Sequence, residues 1–111
     1  MYFIYMLRCE GNSIYTGITT NLERRMSEHF EKNEKCAKYT SSHTAQKLEA
    51  VWQTDGRKNA TKLEYNIKKL TKEKKENLIR NSKKIEDYLS DKIDTNAFEK
   101  IISIFTKDNK I

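Results

Sequence analysis

Few side chains in this chain of 111 residues are equipped for chemistry. Two cysteines, Cys9 and Cys36, and two histidines, His29 and His43, are too few for a disulfide framework, a cysteine zinc site or a histidine metal cluster. The sequence carries no glycine-rich phosphate loop and no strong nucleophile arrangement. What remains is tyrosine, arginine, one histidine and one carboxylate. Tyr5 and Tyr15 flank the turn Glu10-Gly11-Asn12 and can face one another across a hairpin. Arg25 and His29 stand one helical turn apart. Glu64 sits beside Leu63, at the rim of an apolar stripe, where a carboxylate can point into a cleft. A guanidinium can hold a phosphate bidentately, and one carboxylate with several waters suffices for a hard divalent cation. Tyrosine, with an ordinary pKa of about 10, needs a cationic field before it can serve as a base. Each residue also has a plainer account: a packed aromatic pair, a solvated helix edge, and an i, i+4 pair of Glu64 with Lys68.

The elements that must position these groups follow from pattern. Tyr2 to Arg8 and Ser13 to Ile18 have β character and make an opening hairpin. Thr20-Asn21-Leu22-Glu23 has the form of a capping box, with Thr20 as cap of a helix to about Lys32 and Leu22, Met26 and Phe30 as its buried stripe. Cys36 to Ala45 reads as a polar loop, and Gln46 to Thr54 as a third strand with Leu48, Ala50 and Trp52 on one face. Helices are expected over 58–70, with Ala60, Leu63, Ile67 and Leu70 inward, and over 71–81, capped by Thr71. Phe98, Ile101, Ile102 and Phe105 have the spacing of a final helix from about Thr95 that docks on its own domain. The expected fold class is α+β: a small three-stranded antiparallel sheet flanked by helices, in the order β-β-α-β-α-α, with a C-terminal helical extension.

Charge is unevenly spread. Residues 1–56 balance at 7 positive and 7 negative side chains, residues 57–84 carry 11 against 3, and residues 85–111 carry 4 against 6. So concentrated a positive field would attract a polyanion, and nucleic acid is the usual one. No apolar run approaches the roughly 20 residues of a transmembrane helix, and the apolar start is too brief for a signal peptide. The expectation is a cytoplasmic protein with reduced thiols, no membrane partner and no small-molecule cofactor. A monomer is expected, with a dimer through the last helix as the alternative.

Five segments in order, Phe3-Ile4-Tyr5, Tyr15-Thr16-Gly17, Leu22-Glu23-Arg24-Arg25-Met26 with His29, Ala37-Lys38-Tyr39-Thr40 and Leu63 to Leu70, resemble the GIY-YIG nuclease superfamily, and its small stand-alone single-domain members most. The chain departs from the superfamily pattern at Phe3, at Thr16 and at Ser41-Ser42-His43. The resemblance implies a GIY-YIG domain over 1–81 and a helical extension over 82–111. It implies a metal-dependent endonuclease acting on DNA, structure-selective or weakly selective, with DNA repair or recombination as its setting. A non-catalytic nucleic-acid-binding module on the same fold is the alternative. Tyr5 would be the general base toward water, and Tyr15 would orient water or phosphate. Arg25 would hold the scissile phosphate, His29 matches a histidine of some members, and Glu64 would ligate Mg²⁺ or Mn²⁺. Arg8, Lys38, Lys68 and Lys69 would bind substrate.

Overall fold

The structure, a computed structural model, describes residues 1–31, 35 and 37–101. Alternation along β1 (Tyr2–Cys9) sends Ile4 and Met6 into one core layer and Tyr5, Leu7 and Cys9 into the other. A 3₁₀ turn at Glu10–Asn12 reverses the chain, with Gly11 at φ 74° and Asn12 at φ 62°. These are residue types that tolerate left-handed backbone. β2 (Ser13–Thr19) returns along β1, and β3 (Ala45–Thr54) pairs on the other side of β1. The fold is α+β, with an antiparallel sheet of order β2-β1-β3-β4 flanked by helices. It has four strands where three were expected.

On one face, Ile4, Met6, Ala50 and Trp52 are covered by Ala60, Leu63 and Ile67 of α3 (Arg57–Lys68). Leu78 of α4 (Lys72–Arg80) and Ile85 and Leu89 of α5 (Lys84–Leu89) complete that layer. On the other face, Met26 and Phe30 of α1 (Leu22–Phe30) pack over Tyr5, Leu7, Leu48 and Val51. Each of the Ile, Leu, Met and Phe side chains among them contributes about 1.5–3 kcal/mol when taken out of water. Among the described residues no helix is long and apolar enough to cross a membrane.

Four local expectations are corrected. Asn21, not Thr20, caps α1: its side chain accepts from the Arg24 amide at 3.0 Å, and asparagine outranks threonine at that position. The loop after Cys36 contains a short helix, α2 (Lys38–Ser42). Leu48 does not share a face with Ala50 and Trp52, because the register skips a residue where Met6 pairs Ala50 and Leu7 pairs Leu48. That β-bulge at Glu49 turns Leu48 to the α1 side. Lastly, the helix expected from Thr95 is a 3₁₀ turn at Thr95–Ala97 followed by β4 (Glu99–Ile101). β4 pairs with the outer edge of β3, whose backbone donors and acceptors would otherwise lack partners, and this outweighs a helical spacing of apolar residues. Ile102 and Phe105, the rest of that spacing, lie outside the described residues.

Candidate active site

The hairpin register sets Tyr5 opposite Gly17. The Tyr5 ring lies over that glycine: a Cβ there would fall 2.6 Å from Tyr5 Cζ, nearer still to the hydroxyl oxygen, and 3.1 Å from Tyr15 Cε2. Only a residue without a side chain allows the ring to rest there, so Gly17 is a requirement of close approach. The hydroxyl then reaches His29 Nε2 at 2.7 Å, and His29 Nδ1 lies 2.8 Å from Thr40 Oγ1. Tyr5, His29 and Thr40 are all buried.

The protons in this chain can be assigned from its far end. The Thr40 hydroxyl has one hydrogen and donates it to the Ala37 carbonyl at 3.2 Å. With that hydrogen so placed, it accepts from His29 Nδ1, which then carries the imidazole proton. Nε2 is left as a lone pair, and the Tyr5 phenol donates to it. Burial holds His29 down at about 4, aided by the Arg25 cation and opposed by Glu28, so the imidazole is neutral at neutral pH. Burial also pushes the Tyr5 phenol well up, Tyr15 adds to the rise, and the Arg25 guanidinium opposes it. Tyr15 joins the cluster with its ring centroid 5.5 Å from His29 and 6.3 Å from Tyr5. It stacks on Tyr39 at 5.7 Å, and Tyr39 stacks on His43 at 4.3 Å.

Beside this buried cluster opens a cleft of about 500 Å³ between α1 and α3 at the β2 edge of the sheet. Arg24, Arg25 and Glu28 line it from α1; Arg57, Thr61 and Glu64 line it from α3. Arg25 borders both regions, since it lines the cleft and acts on the Tyr5 phenol. Its Nη1 is held by Glu28 Oε1 at 2.7 Å and by the Lys35 carbonyl at 2.7 Å. Glu28, kept ionised by that hydrogen bond, fixes where the guanidinium points. Glu64 acts electrostatically on Tyr5 and is paired with the half-exposed Lys68 at 3.3 Å.

Tyr15, Arg25 and Glu64 thus each act on Tyr5, which is bonded to His29, and Lys68 is paired with Glu64. Arg8 is not among them. β1 alternates without interruption, so Arg8 lies on the α4 face, opposite Tyr5. Its Nη1 and Nη2 donate to Glu76 at 2.6 Å each and its Nε to Glu49 at 3.1 Å, a clamp between β1, β3 and α4. Lys69 lies over the Tyr65 ring in a second groove, and Lys38 is exposed on α2. Cys9 is a free, buried thiol pushed up to about 11 by burial, which suits packing and not nucleophilic work. Cys36 lies outside the described residues.

Sequence reasoning passed over Glu28, Thr40, Arg57 and Thr61. Arg57, Thr61 and Glu64 recur at i, i+4, i+7, a helix-face signal that was available. Glu28 follows Arg24 and Arg25 at i+4 and i+3. Thr40 meets His29 across a loop and no spacing reveals it. Among the described residues no group of three or more His, Cys, Asp or Glu side chains is placed to hold a metal. A hard cation that keeps most of its waters needs less, and the Glu64 carboxylate at the cleft wall fits that donor set.

A tyrosine pair crossing a hairpin, a helix-borne arginine and a glutamate on the next long helix are thus set on one antiparallel sheet. Residues 1–77 match the GIY-YIG catalytic domain, and the chain belongs to that family, a nuclease superfamily. It is similar to the UPF0213 protein FN1575 of Fusobacterium nucleatum, 50% identical over 78 residues that cover 70% of this chain and 76% of the relative. It is also similar to the UPF0213 protein BH0048 of Halalkalibacterium halodurans, 37% identical over 78 residues covering 70% and 81%. The solution NMR structure of BH0048, from Bacillus halodurans, aligns with a TM-score of 0.45 at 33% identity, over 72% of this chain and 84% of that one.

Proposed function

We propose that the protein is a metal-dependent endonuclease that hydrolyses phosphodiester bonds of DNA. The observation that carries the reading is the Tyr5–His29 hydrogen bond standing beside a cleft where Arg25, Arg57 and Glu64 converge. The guanidiniums of Arg25 and Arg57 would take the phosphate oxygens, and Arg25 would stabilise the charge that develops at phosphorus. Tyr5 is the base. As its oxygen takes a proton from the attacking water, its own hydroxyl proton passes to His29 Nε2. The transfer is uphill in the resting site, where imidazolium is disfavoured, and an anionic phosphodiester in the cleft makes it less so. Tyr15 packs against both rings and limits where the water can sit. Held at Glu64, Mg²⁺ or Mn²⁺ would supply charge neutralisation at the phosphoryl and leaving oxygens. Residues 1–81 would form the catalytic unit and 82–111 an extension, whose Ile85 and Leu89 share its core.

The competing reading is a nucleic-acid-binding module that cuts nothing, and the Glu64–Lys68 pair favours it, since it satisfies the carboxylate without a metal. Cleavage of labelled single-stranded, duplex and branched DNA, with and without Mg²⁺ or Mn²⁺, separates the two. Wild type is expected to cut only with metal, and folded Glu64→Gln and Tyr5→Phe to lose about 10²-fold or more. Binding without cutting on every substrate would replace the nuclease by the module.

A further inference from the structure

Away from the cleft, a second groove of about 500 Å³ runs between the end of α3, α4 and α5. Tyr65, Lys69, Lys74, Tyr88 and Lys92 line it, and among the described residues no carboxylate does. Tyr65 is 58% exposed, an unusual state for so large a ring. The ammonium of Lys69 sits 4.9 Å from the Tyr65 ring centre, and that of Lys74 sits 5.4 Å from the Tyr88 ring centre. The Tyr88 hydroxyl is pinned by Asn77 at 3.2 Å. Lys68 and Lys72, by contrast, are neutralised by Glu64 and Glu76. Among the described residues none of the three groove lysines has such a partner. An exposed ring, a half-buried one beside it and lysines without a carboxylate partner are what an unpaired nucleotide strand needs: rings for bases to stack on and ammonium groups for its phosphates. A duplex offers phosphates and keeps its base faces covered, leaving the tyrosines unused.

We infer that this groove binds an unpaired strand of nucleic acid and delivers the adjoining phosphates to the cleft. The inference rests on the nuclease reading for the kind of ligand and adds the feature of the substrate that is recognised. α3 connects the two surfaces: Arg57, Thr61 and Glu64 face the cleft, and Tyr65 and Lys69 face the groove. A strand lying along Tyr65 is therefore one helix width from Glu64.

The test is fluorescence anisotropy of the full chain, without added metal, on a labelled thymidine strand of about 15 nucleotides and on a hairpin duplex of equal length. Tyr65→Ala, at an exposed position, is expected to weaken strand binding roughly 5- to 150-fold and leave duplex binding within about twofold. Tyr65→Phe should retain the strand, and Lys74→Ala should reduce the salt dependence of binding. Equal affinity of wild type and Tyr65→Ala for the strand, an equal loss on duplex, or no strand binding by wild type overturns the inference. So does displacement of the strand by polyglutamate alongside tighter binding of that peptide, which would make the groove an acidic-peptide site. Glu64→Gln run in parallel keeps the readings apart. Lost cleavage with intact strand binding supports the cleft whatever Tyr65→Ala does, and a groove that binds on a protein that never cuts leaves the groove standing without the nuclease.

Discussion

Replacing Thr40 by valine removes one oxygen from a fully buried position and changes almost nothing else in shape. In the native protein that oxygen accepts from His29 Nδ1 at 2.8 Å and donates to the Ala37 carbonyl at 3.2 Å. The Ala37 carbonyl keeps the Ser41 amide as its donor at 3.0 Å; the Nδ1–H of fully buried His29 has no such second partner among the described residues. An unsatisfied buried donor costs about 1–3 kcal/mol, and Thr40→Val should lose that much stability in urea or guanidinium denaturation. The imidazole has one inexpensive escape, which is to move its proton to Nε2. It would then donate to the Tyr5 oxygen, and the phenol would have no acceptor for its own proton. The ring nitrogens report this directly: long-range ¹H–¹⁵N correlation should show His29 protonated at Nδ1 in wild type and at Nε2 in Thr40→Val. Cleavage should fall by about 10²–10⁴-fold, the usual worth of a general base, with little further loss on adding Tyr5→Phe. Thr40→Ser, which restores the hydroxyl, should recover the tautomer and most of the rate. A Thr40→Val protein as stable as wild type, with the proton still on Nδ1, would refute the assignment of the relay.

Gly17→Ala places a methyl into the Tyr5 ring; it should cost about 1–3 kcal/mol in chemical denaturation and reduce cleavage as far as Tyr5→Phe does. His29 is held near 4 in the fold against about 6.5 unfolded, so its contribution is whole above pH 6.5 and is lost as pH falls toward 4. That amounts to roughly 3 kcal/mol, and a urea series from pH 7 to 4 should show a slope that His29→Asn flattens. Arg8 clamps Glu76, whose carboxyl it holds at about 2, so Arg8→Met should cost about 1–3 kcal/mol of stability. Metal-dependent cleavage by the same variant should stay within about twofold of wild type, measured well below its melting temperature.

Much of the architecture could be seen in local pattern because local physics decides it. The opening hairpin follows from alternation and a Gly-Asn turn, and α3 from its 3.6-residue stripe of Ala60, Leu63 and Ile67. The bulge at Glu49 was invisible because an extra residue in β3 leaves no local signature, and Arg8, which the bulged Glu49 meets, lies far off in sequence. β4 was missed because Phe98, Ile101 and Ile102 fit a helix equally well, and the free edge of β3 decided otherwise. At the candidate site, Tyr5, Tyr15, Arg25, His29 and Glu64 were found through their resemblance to a known order of segments. Thr40 was in one of those segments, yet its hold on His29 depends on where α2 sits against α1. Arg8, three residues from Tyr5, stands on the opposite face of the strand, as alternation alone implies.

The shared wall formed by α3 has a consequence for how such a chain can vary in length. Cleft and groove are read off one cylinder, so their relation is an angle, set at about 100° per residue. One residue inserted between Thr61 and Glu64 would swing the carboxylate out of the cleft, carry Tyr65 off the groove and turn Leu63 and Ile67 out of the core. Insertions before Arg57 or after Leu70 leave that phase untouched. Length changes in working relatives should therefore gather at the two ends of α3 and spare its interior, where a single added residue would disconnect two surfaces and a core at once.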